Sequence, residues 1–458
     1  MHTIFITSFH VLISRNILGS PLLDLLLASG DTEIVILVPE EKREFFAVHF
    51  GRPGVTVVGV PSVHTRRDVW LRYLALAASD TATIRIKRST ELAGRGRWLA
   101  RIIGSGAFWR RLIRVSAPWI VPRGRFAPLF DRYRPALVFA TDVQGELDIR
   151  LMVEARGRGI PVIGMVRSWD NLTAKGLVSI VPDILAVNNA IVRDEAVQLH
   201  GIPKERIRIV GIPHYDRYIS GAAHPREAFA KEVGLRPDER FVLYAPTGDR
   251  YLGENALDSY IIRQLAGFLP PGYRLLVRMP PSDSVRLDPG TLPAQVVIHR
   301  PGQDLSGGGR RFKSNELSPE DDELLRDTLA YAELVVAGPS TILIDAAAFD
   351  KPVVAIAFDD QPGRPYHESI RRYYDYDHFQ PVIASGGVRL VRSQGEFGEW
   401  VTKYLAEPAL DREGRGRIVA EQCWRFDGQS SRRLHEIIAS LIPSAPTPHG
   451  TRIEDFHL

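Results

Sequence analysis

LVVAGPSTILIDAAAFDKPVVAIAF, residues 334 to 358, decides the fold. An apolar run, Leu334 to Ala337, stops at Gly338 and Pro339. A Ser-Thr pair follows, then a helical segment carrying Asp345 and an alanine triplet. Lys351-Pro352 breaks that segment and a second apolar run begins at Val353. The order is strand, tight turn, short helix, strand: a βαβ unit with a turn of small residues at the carboxyl end of its first strand. Helix starts at such turns present unpaired N–H groups and the positive end of the helix dipole to anions, so Ser340, Thr341 and the backbone around them suit a phosphate. Asp345, about one turn further on, is placed to accept hydrogen bonds from a sugar hydroxyl, and Gly338 lets backbones approach closely. The plainer alternative is an ordinary packed βαβ unit.

The same alternation runs outward in both directions. Apolar runs at His2–Thr7, Glu33–Val38, Val55–Val60, Leu137–Ala140, Pro161–Val166, Ile184–Val187 and Ile207–Val210 are separated by helical or loop segments, as a parallel sheet requires. A second series, Phe241–Tyr244, Tyr273–Val277, Leu334–Ala337 and Val353–Phe358, follows a helix near 225–233. With 458 residues the chain is too long for one ordinary domain. Ligands of open α/β sheets sit beyond the carboxyl ends of the strands, which makes the position of His10 matter more than its identity. The loop Arg167-Ser168-Trp169-Asp170-Asn171-Leu172-Thr173 lies at another such end. Its Trp suits a sugar platform and its Asp and Asn suit sugar hydroxyls; an Asx-type turn is the plainer alternative. Ser318-Pro319-Glu320 reads as a helix start, with Asp321, Asp322 and Glu323 as partners of the helix dipole.

The pattern Gly-x-Ser-Thr, acid, small residues and Lys-Pro before a strand resembles the donor-nucleotide motif of GT-B glycosyltransferases. It is equally similar to that of UDP-GlcNAc 2-epimerases and polyol-phosphate transferases. The resemblance implies an α/β fold of two Rossmann-like domains facing across a cleft. It also implies that Gly338, Ser340 and Thr341 hold a diphosphate and that Asp345 holds the ribose, where the family acid is usually the longer Glu. The turn Ala245-Pro246-Thr247-Gly248-Asp249-Arg250 resembles one beside the donor in related polymer-forming transferases, making Arg250 a candidate diphosphate clamp. Arg278 precedes Met279-Pro280-Pro281, where relatives often carry a basic residue and a His-Pro. Asp360 and Gln361 resemble the acid-Gln pair that contacts the donor sugar in UDP-sugar transferases. Ser-Trp-Asp-Asn-Leu-Thr, 168–173, resembles a segment of bacterial surface-polysaccharide proteins of this type, which places Trp169 and Asn171 on the acceptor side. His10 and Asp170 are the candidates for the base that deprotonates the acceptor.

The domain boundaries so implied are 1–215 for an acceptor-side domain, 216–423 for a donor domain, a crossing helix within 424–441, and a tail at 442–458. The expected activity is transfer of a sugar from a nucleotide-sugar to a glycan or lipid-linked acceptor in bacterial surface polysaccharide synthesis, with no cofactor and no metal. Three alternatives stay open: a CDP-polyol phosphotransferase, a nucleotide-sugar 2-epimerase, and a nucleotide-sugar-binding protein without turnover.

Composition bounds the rest. An apolar fraction of 45% and a charged fraction of 24% belong to a globular chain, and the single cysteine, Cys423, excludes a disulfide framework. The opening residues carry no basic flank or cleavage site, so the chain is expected to stay in the cytoplasm. Net charge is only +4, but from Arg85 to Arg134 thirteen basic residues face only Glu91 and Asp131. Interleaved with Trp98, Phe108, Trp109, Trp119 and Phe126, this segment reads as a membrane-surface element or as solvated helices with an aromatic core face. No nucleic-acid module lies nearby, and nucleic acid is not an expected partner. Asp375-Tyr376-Asp377 is an acid-x-acid triplet that follows no strand and reads as coincidence.

Overall fold

The structure is a computed structural model that describes residues 1–90, 106–249, 252, 255–305 and 315–442. Arg250, residues 91–105 of the basic segment, residues 306–314 and residues 443–458 lie outside it.

Two parallel sheets account for the architecture. The first holds β1 (His2–Thr7), β2 (Thr32–Pro39), β3 (Val55–Val60), β4 (Leu137–Ala140), β5 (Val162–Met165), β6 (Ile184–Val187) and β7 (Ile207–Ile209) in the order β3-β2-β1-β4-β5-β6-β7. The second holds β8 (Arg240–Ala245), β9 (Tyr273–Arg278), β10 (Val296–His299), β13 (Leu334–Ala337), β14 (Val353–Ile356) and β15 (Arg389–Val391) in the order β10-β9-β8-β13-β14-β15. A two-residue pairing of β11 (Gln303–Asp304) with β12 (Asn315–Glu316) stands apart. Strands buried on both faces read as unbroken apolar runs, which is why β4, β5, β13 and β14 are buried at every position. The α/β class with two Rossmann-like sheets is as the sequence implies.

Strand order fixes where ligands can go. In each sheet the first strand is central and the chain winds outward in both directions, so neighbouring connections leave on opposite faces between β1 and β4 and between β8 and β13. Crevices at the carboxyl ends form at such reversals. His10 and Asp142 follow the first pair; Thr247 and Gly338 follow the second.

The halves are tied together. The helix Ser430–Leu441 ends the described chain by packing back on the first sheet, where Leu434 and Ile438 join Ile4, Ile6 and Leu22 in one core. Its first turn is held by Asp216, whose carboxylate accepts from the Ser430 and Ser431 amides at 2.8 and 2.7 Å. Lys42 of the first half pairs with Glu316 of β12 at 2.8 Å, both buried, and the Ser14 hydroxyl donates to the other Glu316 oxygen at 2.9 Å. Thr83 and Asp377 bond twice more across the same divide, backbone N–H and hydroxyl to carboxylate, at 2.7 and 2.8 Å. Asp377 thus serves the seam between the halves. A buried ion pair loses more from removal of one partner than from removal of both. Glu316→Leu, which strands the Lys42 ammonium, is expected to cost about 3–5 kcal/mol in urea unfolding. Adding Lys42→Met should restore most of that; a double variant no better than the single one would contradict the pairing.

Candidate functional site

At the first reversal, three side chains lock the strand ends. The Thr141 amide donates to the Thr7 hydroxyl at 2.9 Å, and the Thr7 hydroxyl donates to Asp148 Oδ1. Burial and the charge of Asp142 push Asp148 up to about 8, so it is protonated at neutral pH. Asp142 itself stays ionised: burial opposes its charge, but Arg167 and Lys175 outweigh burial. Arg167 Nε sits 2.8 Å from Asp142 Oδ2, and the same guanidinium reaches His10 Nδ1 at 3.2 Å.

This pairing corrects the expected role of His10. The residue caps the Val11–Ile13 turn, and its Nδ1 also accepts from the Leu12 amide at 3.3 Å. Two donors on Nδ1 assign the proton of the neutral ring to Nε2. Burial and the cations Arg167 and Lys175 drive its pKa to about 3. Its basic lone pair is occupied, so the ring offers an N–H donor rather than a base.

The 167–173 loop also differs in role from the expectation. Trp169 is only 9% exposed, and its ring meets His378 and Phe379 edge-on at centroid distances of 5.0 and 4.9 Å. It joins the two halves instead of offering an open face to a sugar. Asn171 is fully buried; its amide donates to Asp142 Oδ1 at 3.2 Å, and its oxygen accepts from Lys175 Nζ at 2.7 Å. With both ends engaged it orients the charges around it and cannot contact an acceptor. Asp170 is half-buried and held well below the usual carboxylate range: burial works the other way, but Lys175, His378 and Arg167 prevail. Among the described residues no side-chain ion pair consumes its carboxylate.

At the second reversal, Gly338 touches the Thr247 turn so closely that an added Cβ would lie 2.2 Å from Thr247 Oγ1. Asp258 fixes that turn, accepting from Tyr244 Oη at 2.6 Å and from the Thr247 and Gly248 amides at 2.9 and 3.1 Å. Ser340 is half-buried and Thr341 exposed at the start of the Ile342–Ala348 helix. Asp345 is buried, its Oδ1 accepting from Tyr215 and Tyr218 at 2.6 and 3.3 Å. Burial raises its pKa against the pull of Arg15 and the two phenols. Two phenols already fill the role expected of a ribose.

Arg15 comes from the other half, in the turn after His10, and lies 4.0 Å from Asp322 Oδ1. Burial works against its charge, but Tyr218, Asp345 and Asp322 hold its pKa above the usual value. Asp322, expected to serve the helix dipole, is instead pushed up to about 6 by burial and the Asp345 charge, with Arg15 opposing. Arg278 lies near the same group but is turned inward, donating to Asp321 O at 3.0 Å and meeting His299 Nδ1 at 3.1 Å. Burial lowers it to about 10. After β14, Asp360 pairs with Arg364 at 3.0 Å and Gln361 is exposed. Asp359 holds the loop to Ser369 and the Ile370 amide. Arg15, Asp142, Asp148, Arg167, Lys175 and Asp258 were not singled out as site residues from sequence.

Residues 177–440, more than half of the chain, match the family described as CDP-glycerol:poly(glycerophosphate) glycerophosphotransferase. The chain belongs to that family. No curated protein sequence matches this family member. Its fold is similar to that of a candidate UDP-N-acetylglucosamine 2-epimerase from Listeria monocytogenes, at TM-score 0.54 and 12% identity, covering 100% of this chain and 99% of that one. The UDP-GlcNAc 2-epimerase of Neisseria meningitidis bound to UDP-GlcNAc gives 0.52 at 11% identity, over 96% and 99% of the chains. That of Methanocaldococcus jannaschii gives 0.51 at 12%, with the same coverage. At such identities the likeness is one of fold. The family is one of transferases, and these folds are of the GT-B kind.

Asp148 supplies a sharp test of the first reversal. An unfolded Asp titrates near 3.9, so between about pH 4 and 8 the folded state holds the extra proton. The stability this proton contributes is full below pH 4 and is lost as pH rises toward 8. Asp148→Asn keeps an acceptor for Thr7 without that titration. Its stability relative to wild type, from urea midpoints, is expected to improve steadily from pH 5 to pH 8; a pH-independent difference would contradict the assignment.

Proposed function

We propose that this chain transfers a polyol phosphate from a CDP-linked donor to a hydroxyl of a surface-polymer acceptor. Membership of the glycerophosphotransferase family across the donor half carries this reading. In such a transfer the acceptor hydroxyl attacks the phosphorus next to the polyol. The P–O bond to the cytidine phosphate breaks, the acceptor proton leaves, and CMP departs with the bond's electrons.

The residues fit those demands. Charge builds on phosphate oxygens as the pyrophosphate opens, and cations and backbone amides aimed at them stabilise it. Arg15 can turn from Asp322 and Asp345 to the donor, and Gly338, Ser340 and Thr341 present backbone and hydroxyl groups at the second reversal. On the acceptor side Arg167 and Lys175 supply positive charge and neutral His10 supplies an Nε2–H donor. Asp170 takes the acceptor proton; a loose phosphoryl-transfer transition state asks little of its basicity. Arg278, buried behind Arg15, adds a second positive charge on the donor side.

A second reading, sugar transfer from a nucleotide-sugar, is favoured by the Asp360-Gln361 pair, whose Gln361 is exposed at the end of β14. The acceptor is a glycan or a lipid-linked chain, and the site of action is the cytoplasmic face of the inner membrane.

The nucleotide product separates the readings. CDP-glycerol, UDP-, GDP- and TDP-sugars are tested by thermal shift and by chromatography of the released nucleotide. Stabilisation by CDP-glycerol alone is expected, worth about 2.7 kcal/mol at a hundredfold excess over Kd, with CMP released when acceptor is present. Release of a nucleoside diphosphate would mean sugar transfer, and hexosamine epimerisation without acceptor an epimerase. Binding without turnover would mean a binding protein. Arg15→Gln is expected to abolish the shift.

A further inference from the structure

Four of the large apolar side chains open to solvent lie on one helix, Ala107–Ile120. Phe108 is 70% exposed, Leu112 45%, Val115 63% and Trp119 79%. Steps of four, three and four residues put them in one stripe along one face. The opposite face holds Ile113 and Ala117, which are buried in the core of the first sheet. Arg114 anchors that side by donating to the carbonyls of Val178 and His200. The helix is therefore firmly seated, and its outward stripe is additional to the face that folding requires.

The surroundings extend the stripe. The helix Arg66–Ala77 packs beside it and exposes Val69 and Trp70. Arg66, Arg67, Arg72, Arg111 and Arg123 are also exposed on or next to these two helices, and the Arg123 guanidinium lies 5.7 Å from the Trp119 ring. Ala107–Ile120 contains no acid, and Asp68, the only one in Arg66–Ala77, is buried against Arg150. Glu146 meets Arg72 at 3.7 Å, which leaves Arg66, Arg67, Arg111 and Arg123 as the excess charge.

Exposed apolar side chains gathered on one face, rather than scattered singly, mark a partner. A protein partner or a second copy would be satisfied by the apolar residues alone. Aromatics at the rim and a surplus of arginines around them are the complement of an anionic bilayer surface, into whose boundary such helices sink their apolar side. We propose that the face formed by Ala107–Ile120 and Arg66–Ala77 docks on an anionic lipid bilayer. Phe108, Leu112, Val115 and Trp119 enter the headgroup boundary, and Arg111 and Arg123 pair with lipid phosphates. Among the described residues no helix is long and apolar enough to cross a membrane, so attachment through this face is to one leaflet. The proposal names the surface and stands whichever donor the transferase uses.

The test is sedimentation of the full-length protein with vesicles of phosphatidylglycerol and phosphatidylcholine, and with phosphatidylcholine alone, while tryptophan emission is recorded. Wild type is expected to sediment with the anionic vesicles, with blue-shifted emission, and to dissociate as salt is raised. Phe108→Ser with Trp119→Ser should weaken binding about tenfold while leaving the melting temperature unchanged, because both side chains already stand in water. Arg111→Glu with Arg123→Glu should weaken binding to the anionic vesicles and not to phosphatidylcholine. Equal partition of wild type and the serine variant would overturn the proposal, as would a wild type indifferent to both vesicles. A wild-type dimer that the serine variant dissolves would assign the stripe to a second copy instead.

Discussion

A guanidinium from one half, buried against carboxylates from the other, is the contact on which the site depends. Arg15 follows the first strand of the first sheet, whereas Asp322 and Asp345 belong to helices flanking the second. Neither side is at ease alone. Burial opposes the Arg15 charge and raises both acids, and each relieves the other only because the sheets face one another with their carboxyl ends inward. Buried charge of this kind is weak evidence of stability. It is better understood as a place kept ready for an anion that can take the carboxylates' part.

The opposite rim shows the same economy of charge. Asp142, Arg167, Lys175 and Asn171 form a closed network in which each polar atom named has a partner. The network holds His10 neutral with its proton on the outer nitrogen and holds Asp170 ionised. Protonated Asp148 lies beneath it, where an ionised acid would have disturbed the balance. Low local dielectric makes such networks effective only when complete, which explains why Asn171 and Trp169 are spent on support.

Much of the architecture was legible in sequence, for a physical reason. A strand buried on both faces must be apolar throughout, and a crossover must end in turn residues, so β1, β3, β4, β6 and β13 were readable to the residue. The two strands of the second sheet not foreseen, Val296–His299 and Arg389–Val391, are its outer strands, partly exposed, and the second is only three residues long. His10, Asp170, Gly338 and Asp360 do follow strand ends, where the topology opens crevices. Their roles were less legible, since each is set by a partner far along the chain. His10 answers to Arg167, Asp345 to Tyr215 and Tyr218, and Trp169 to His378 and Phe379. Arg15 left only a faint trace, a single cation in the polar step Ser14–Asn16 between two apolar pieces.

The central claim is that donor phosphates lie between Arg15 and the turn after β13. A crystal structure with CDP-glycerol bound tests it most directly. The account predicts phosphate oxygens within about 3 Å of the Arg15 guanidinium and of the Ser340–Thr341 amides, with the Arg15–Asp322 contact opened. Phosphates bound elsewhere, with Arg15 still held by Asp322 and Asp345, would contradict it.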